Sequence, residues 1–166
     1  MTTITASMLS GLTGADSTLI SKVVELINNP ALRSLSGLRE GLANGTWTVR
    51  VAGVGDKIGR SDGLFIDPKV AGGPGQILVR SDLLVAADSA NLPGAALKLV
   101  TTLLHEGIGH GDPAMAEKRL DAEDDLKNPA FSITERSERY LGLRFEDELS
   151  ARYVTWKFQL ELDGLN

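Results

Sequence analysis

Both histidines of the chain fall within one short stretch, Leu104-His105-Glu106-Gly107-Ile108-Gly109-His110. Two imidazoles with a carboxylate directly after the first are the groups a zinc peptidase helix carries: the histidines bind one ion and the glutamate acts as general base. In the short form of that motif the histidines are four apart; here they are five apart. Four steps of an ideal helix turn about 400°, which leaves the two rings about 40° apart, whereas five steps leave them about 140° apart. That is too far for one ion on a regular helix. A one-residue π-bulge removes the offset, and such bulges gather at functional sites. Gly107 and Gly109 lie inside the interval, where glycine's backbone freedom makes a distortion cheaper.

A catalytic zinc takes three protein donors and keeps a fourth position open. Two histidines and one carboxylate make such a set. Glu146 and Glu148 are the main candidates, with Asp112 in Gly111-Asp112-Pro113 behind them. Glu146 falls in line with Leu149 and Tyr153 on an ideal helix. Glu148 precedes Leu149, at the border of the expected buried face, and Ala151 is small enough to let another helix come close. Either acid can instead pair with Arg144 or Arg152. In a peptidase, Glu106 would accept the proton of the attacking water and pass it to the leaving amine. Tyr140, Tyr153 or an arginine such as Arg139 would stabilise the oxyanion. The structural alternative is a pair of histidines that cap or pack the end of a buried helix.

Written H-E-x-x-G-H, the stretch resembles the zinc motif of the dipeptidyl peptidase III family, a gluzincin-type group of metallopeptidases with one extra residue between the histidines. In that family the third ligand is the second glutamate of an E-E-x-x-A motif. The nearest match here is Asp147-Glu148-Leu149-Ser150-Ala151, in which Asp147 replaces the first glutamate. The resemblance covers these two short motifs. It implies a zincin-type site with Zn2+ held by His105, His110 and Glu148, Glu106 as the catalytic base, and a peptide or protein substrate. The rival expectation is a non-catalytic zincin-like binding or structural module, such as a degenerate, phage- or secretion-associated relative.

At 166 residues the chain suits one domain with its own core. Hydrophobic residues make up 42% and charged residues 23%, ordinary for a globular protein. The net charge of −5, with both signs interspersed, argues against a general nucleic-acid binder. Without cysteine, disulfides, cysteine zinc sites and thiol nucleophiles are excluded. No stretch approaches the roughly 20 apolar residues of a membrane-spanning helix. Residues 1–16, rich in Thr, Ser and Gly, read as a flexible arm without an ordinary secretory signal. The location is then the cytoplasm, or outside by a route that needs no such signal.

The elements that must position the site follow from periodicity. Ile20, Val23, Val24 and Ile27 predict a helix over 17–28; Leu32, Leu35, Leu38 and Leu42 predict another over 31–43, stopped by Asn44-Gly45. Trp47, Val49 and Val51 alternate with polar residues as a half-buried strand, and 64–66 and 76–80 read as two more, joined by glycine-rich turns. None of those turns has a phosphate-loop pattern. A helix opened by Pro93, with Leu97, Val100, Leu103 and Leu104 on its buried face, runs into His105. A charged helix over 114–127 follows, then a capping box Ser132–Glu135 that opens a last helix over 133–160. Leu141, Phe145, Leu149, Tyr153, Trp156 and Leu160 form the apolar stripe of that helix. The expectation is an α+β domain over 17–166: a small, mainly antiparallel three-stranded sheet packed on a central ligand helix and a long C-terminal helix.

Overall fold

The computed structural model describes residues 2–86 and 88–165. Helix α1 (Ser17–Asn28) starts at Asp16, whose carboxylate accepts the Thr18 amide hydrogen at 2.8 Å, and buries Leu19, Val23 and Ile27 along one face. Its far end is closed by the buried Arg39, which donates from Nε to the Ile27 carbonyl at 2.7 Å and from Nη2 to the Asn29 carbonyl at 3.1 Å. A cation there faces the negative end of the helix dipole. Arg39 belongs to α2 (Ser36–Ala43), which follows a single 3-10 turn at Arg33–Leu35. The helix expected from Ala31 is thus shorter. Gly45, at φ 76°, takes the left-handed conformation that ends it.

Three strands, β1 (Trp47–Val51), β2 (Gly63–Ile66) and β3 (Gly75–Val79), form one sheet in the order β1-β3-β2. The α+β class and the three strands are as expected, but the sheet is mixed. β2 and β3 are antiparallel, with Leu64 opposite Leu78, whereas β1 and β3 are parallel, with Val49 opposite Ile77. Alternation marks a strand but not its direction, and here β3 enters between its two predecessors. A one-turn helix, α3 (Pro68–Ala71), links β2 to β3 where the sequence suggested only a turn.

The segment expected to be a flexible arm is packed. Ile4, Leu9 and Leu12 join the core, Ile4 exchanges hydrogen bonds of 2.8 and 2.9 Å with the Asn28 side chain, and the Gly11 carbonyl accepts the Val51 amide hydrogen at 3.2 Å. Three apolar residues at irregular spacing make no amphipathic pattern, so the polar composition hid them.

Helix α4 (Leu92–Leu104), with Pro93 in its first turn, crosses the centre of the molecule and buries Leu99, Val100, Leu103 and Leu104. It passes directly into a π-helical turn, His105–Gly109. Asp112 caps α5 (Pro113–Lys127), and its carboxylate accepts the Ala114 amide hydrogen at 2.8 Å. The capping box forms as read: Ser132 and Glu135 bond each other's amides at 2.8 and 3.2 Å and open α6 (Ile133–Leu165).

The face of α6 turned to the core is not the one its apolar residues suggest. Asp147, Ala151 and Phe158 are buried, while all six residues of the apolar stripe are 50–69% exposed. On an ideal helix the stripe lies roughly 170° from the buried line. Two anchors fix this rotation. Glu161 accepts hydrogen bonds from the Ser34 amide and hydroxyl at 2.9 and 2.7 Å, and Asp147 is held beneath α5 by Arg119 at 2.7 Å. Among the described residues, no helix is long and apolar enough to cross a membrane.

Candidate metal centre

The site begins with the irregular turn. The His110 amide donates to the His105 carbonyl at 3.1 Å, a bond that spans five residues instead of four. That wider turn cancels the offset of the histidine spacing, as the sequence required. His105 and His110 converge with Nε2 atoms 3.2 Å apart and rings nearly perpendicular, at 78°.

The glycines act differently from expectation. Neither Gly107 nor Gly109 has a positive φ, so backbone freedom is not what places them. Space is. A β-carbon on Gly109 would lie 2.5 Å from that of Ala151, and one on Gly107 would lie 2.8 Å from Ile77. Gly109 against Ala151 lets the π turn and α6 approach closely enough for α6 to reach the histidines.

That approach brings Glu148 to the site, with Oε2 at 3.7 Å from both Nε2 atoms. Glu146 points elsewhere and is exposed, Asp112 is engaged as a helix cap, and neither joins the cluster. Donor atoms bonded to zinc at about 2.0–2.1 Å in a tetrahedron lie about 3.3–3.4 Å apart. Separations of 3.2, 3.7 and 3.7 Å fit that figure to within a small side-chain adjustment. His105, His110 and Glu148 therefore suit a divalent cation such as zinc, in donor type and in spacing.

Asp147, which the sequence reading noted only as a departure from a motif, orients the second histidine. Its carboxylate is 1% exposed and lies 2.9 Å from His110 Nδ1. With the proton on Nδ1, His110 presents a bare Nε2 lone pair to the cluster. Arg119 bonds the other carboxylate oxygen at 2.7 Å and the His110 carbonyl at 2.6 Å. Burial pushes the Asp147 carboxyl up. The hydrogen bond from His110 and the nearby charges of His110 and Arg119 outweigh this and hold it below the usual carboxylate range. Burial, and then the neighbouring His110 charge, lower the pKa of His105 and favour its neutral form, the one able to bind a cation.

Glu106 sits on the inner wall beside the histidines, 7% exposed. Desolvation pushes its carboxyl up to about 7, although the His110 charge and a hydrogen bond from the Phe65 amide act the other way. It faces Gly63 of β2, where a β-carbon would lie 2.7 Å from Glu106 Cγ. This is the place where the sheet and the ligand turn meet.

These groups line one open cavity of about 600 Å³, together with Arg60, Arg144 and Arg152 at its mouth. Arg152 bonds the free oxygen of Glu148 at 2.8 Å. Tyr140 and Tyr153 do not line the cavity. Tyr153 is on the exposed stripe beside Trp156, and Arg139 is paired with Asp125. Of the groups proposed for the oxyanion, none is at the centre. Arg119, 28 residues from Asp147 in a segment that the sequence marks only as a charged helix, carried no signal of its own. Asp147 carried one, because consecutive helix residues diverge by about 100° and can serve an ion and its ligand separately. Compared with protein-family models, curated proteins and solved structures, the chain matches none.

Proposed function

We propose that this protein is a zinc-dependent metallopeptidase whose ion is held by His105, His110 and Glu148. The observation that carries the reading is the convergence of these three donors across a π turn, with an independent, buried carboxylate, Glu106, on the wall beside them. Zinc held there would supply a Lewis acid and would acidify a bound water toward neutrality. The chain supplies the remaining functions. Asp147, braced by Arg119, fixes the His110 tautomer. Glu106, buried on the wall beside the histidines, is placed to take a proton from water and pass it to a leaving amine.

The experiment is metal analysis with a broad peptide-cleavage screen on the wild type and two variants. Glu106→Gln should keep its zinc and lose cleavage by about 10²–10⁴-fold. His110→Ala should lose both. A wild type that takes up no zinc, or a Glu106→Gln variant with full activity, would overturn the proposal. Tight stoichiometric zinc without any cleavage would favour a metal-stabilised, non-catalytic module.

A further inference from the structure

Among the described residues, nothing covers the apolar stripe of α6. Leu141, Phe145, Leu149, Tyr153, Trp156 and Leu160 are 65, 69, 57, 56, 56 and 50% exposed. Taking about 150–250 Å² for each aromatic side chain and somewhat less for each leucine, they present roughly 600 Å² of apolar surface. That is the upper end of what a typical monomer leaves exposed. Two such faces together would bury roughly 1,200 Å², the lower bound for a specific protein–protein interface.

The order of residues along the stripe points to its occupant. Read from both ends it is nearly palindromic: leucine, aromatic, leucine, then aromatic, aromatic, leucine. We infer that the protein forms a two-fold homodimer in which the α6 helices of two copies pack antiparallel through this stripe. With the axis between positions 150 and 151, Leu141 meets Leu160 of the second copy and Phe145 meets Trp156, while Leu149 falls one residue, about 1.5 Å, from Tyr153. Each layer joins large apolar groups, as a self-complementary interface requires. Charge follows the same register. Glu146 and Lys157 lie on the same flank, about 20° apart around an ideal helix, and the two-fold axis brings each to within two residues, about 3 Å along the helix, of the other's counterpart. Among the described residues Glu146 has no ion pair, and Lys157 only rests over the Tyr153 ring at 5.5 Å. Arg152, inside the stripe, keeps its counterion within its own chain, Glu148. It lines both the metal cavity and the apolar groove, so the interface borders the site.

Sedimentation and light scattering across a concentration series test this on the full chain. The wild type should pass from 17.7 kDa to twice that mass, with a dissociation constant on the order of micromolar. Phe145→Glu and Trp156→Glu change exposed positions, so circular dichroism should show an unaltered fold while each weakens dimerisation roughly 30-fold or more. Glu146→Lys should weaken it and Glu146→Lys with Lys157→Glu should restore it. Because the chain has no cysteine, Leu149→Cys and Tyr153→Cys report the register when the two proteins are mixed and oxidised. An antiparallel pair gives the mixed 149–153 disulfide, and a parallel pair gives each variant linked to itself. A wild type monomeric at about 500 µM, a dimer indifferent to both glutamate substitutions, or self-linked products would overturn the inference.

Discussion

Two acids one residue apart on α6 do opposite work: Glu148 faces the ligand cluster, and Asp147 is buried behind it against His110. Removing the second should weaken the first's site without touching a donor. Asp147→Ala is expected to reduce zinc affinity about 10–100-fold, measured by competition with a chromophoric chelator. An unchanged affinity would mean that packing alone orients His110. Glu106 makes a second residue-scale prediction, for the metal-free protein. Its carboxyl titrates near 7 in the fold against 4.5 as a free side chain. The folded state therefore holds the proton more tightly than the unfolded one. The associated stability is full below about pH 4.5 and is lost as pH rises toward 7, by roughly 3 kcal/mol. Urea unfolding at pH 5 and pH 8 in the presence of a chelator should show that loss in the wild type and not in Glu106→Gln. Equal pH dependence in both proteins would exclude Glu106 as its source.

At the scale of the element, α6 shows why periodicity can identify a helix and misplace its face. Six of its larger apolar side chains lie in one exposed stripe, yet the core takes Asp147, Ala151 and Phe158. The reason is local fit: the π turn needs a small residue against Gly109, and Ala151 provides it, while Glu161 and Asp147 are fixed by polar partners on either side. Phe158→Ala should therefore cost about 3–5 kcal/mol of folding stability. Phe145→Ala, at 69% exposure, should cost under about 0.5 kcal/mol when measured at a concentration where the chain is monomeric. The reverse ranking in denaturant unfolding would place the stripe in the core after all. The capping box, the Pro93 start of α4 and the Gly45 stop were legible in the sequence, because each depends on neighbours within one turn.

Across the whole molecule, the donors link the central helix to the C-terminal one, with α5 between them in sequence. An ion held by His105, His110 and Glu148 ties α4 and its π turn to α6, and so can bind only the folded chain. Zinc at about 1,000 times its dissociation constant should add about 4 kcal/mol to stability. For a chain of this size that raises the melting temperature by about 10 °C. Thermal unfolding with zinc and with chelator checks this, and the difference should vanish in His105→Ala. A wild type whose melting point ignores zinc would count against a structural role for the ion.

The sequence by itself marked most of the helices and strands and the irregular turn that the histidine spacing demands. Five-residue spacing between two histidines on one apolar helix leaves a π turn as the simplest way to bring them together, and that is what His105–Gly109 forms. Tertiary structure alone decided three other matters. It brought Arg119 and Asp147 behind His110, a contact across 28 residues that no local pattern encodes. It also made β1 parallel to β3 and packed Ile4, Leu9 and Leu12 into the core. Strand direction and the burial of scattered side chains are settled by which surfaces meet, and single-chain periodicity reports only which residues share a face.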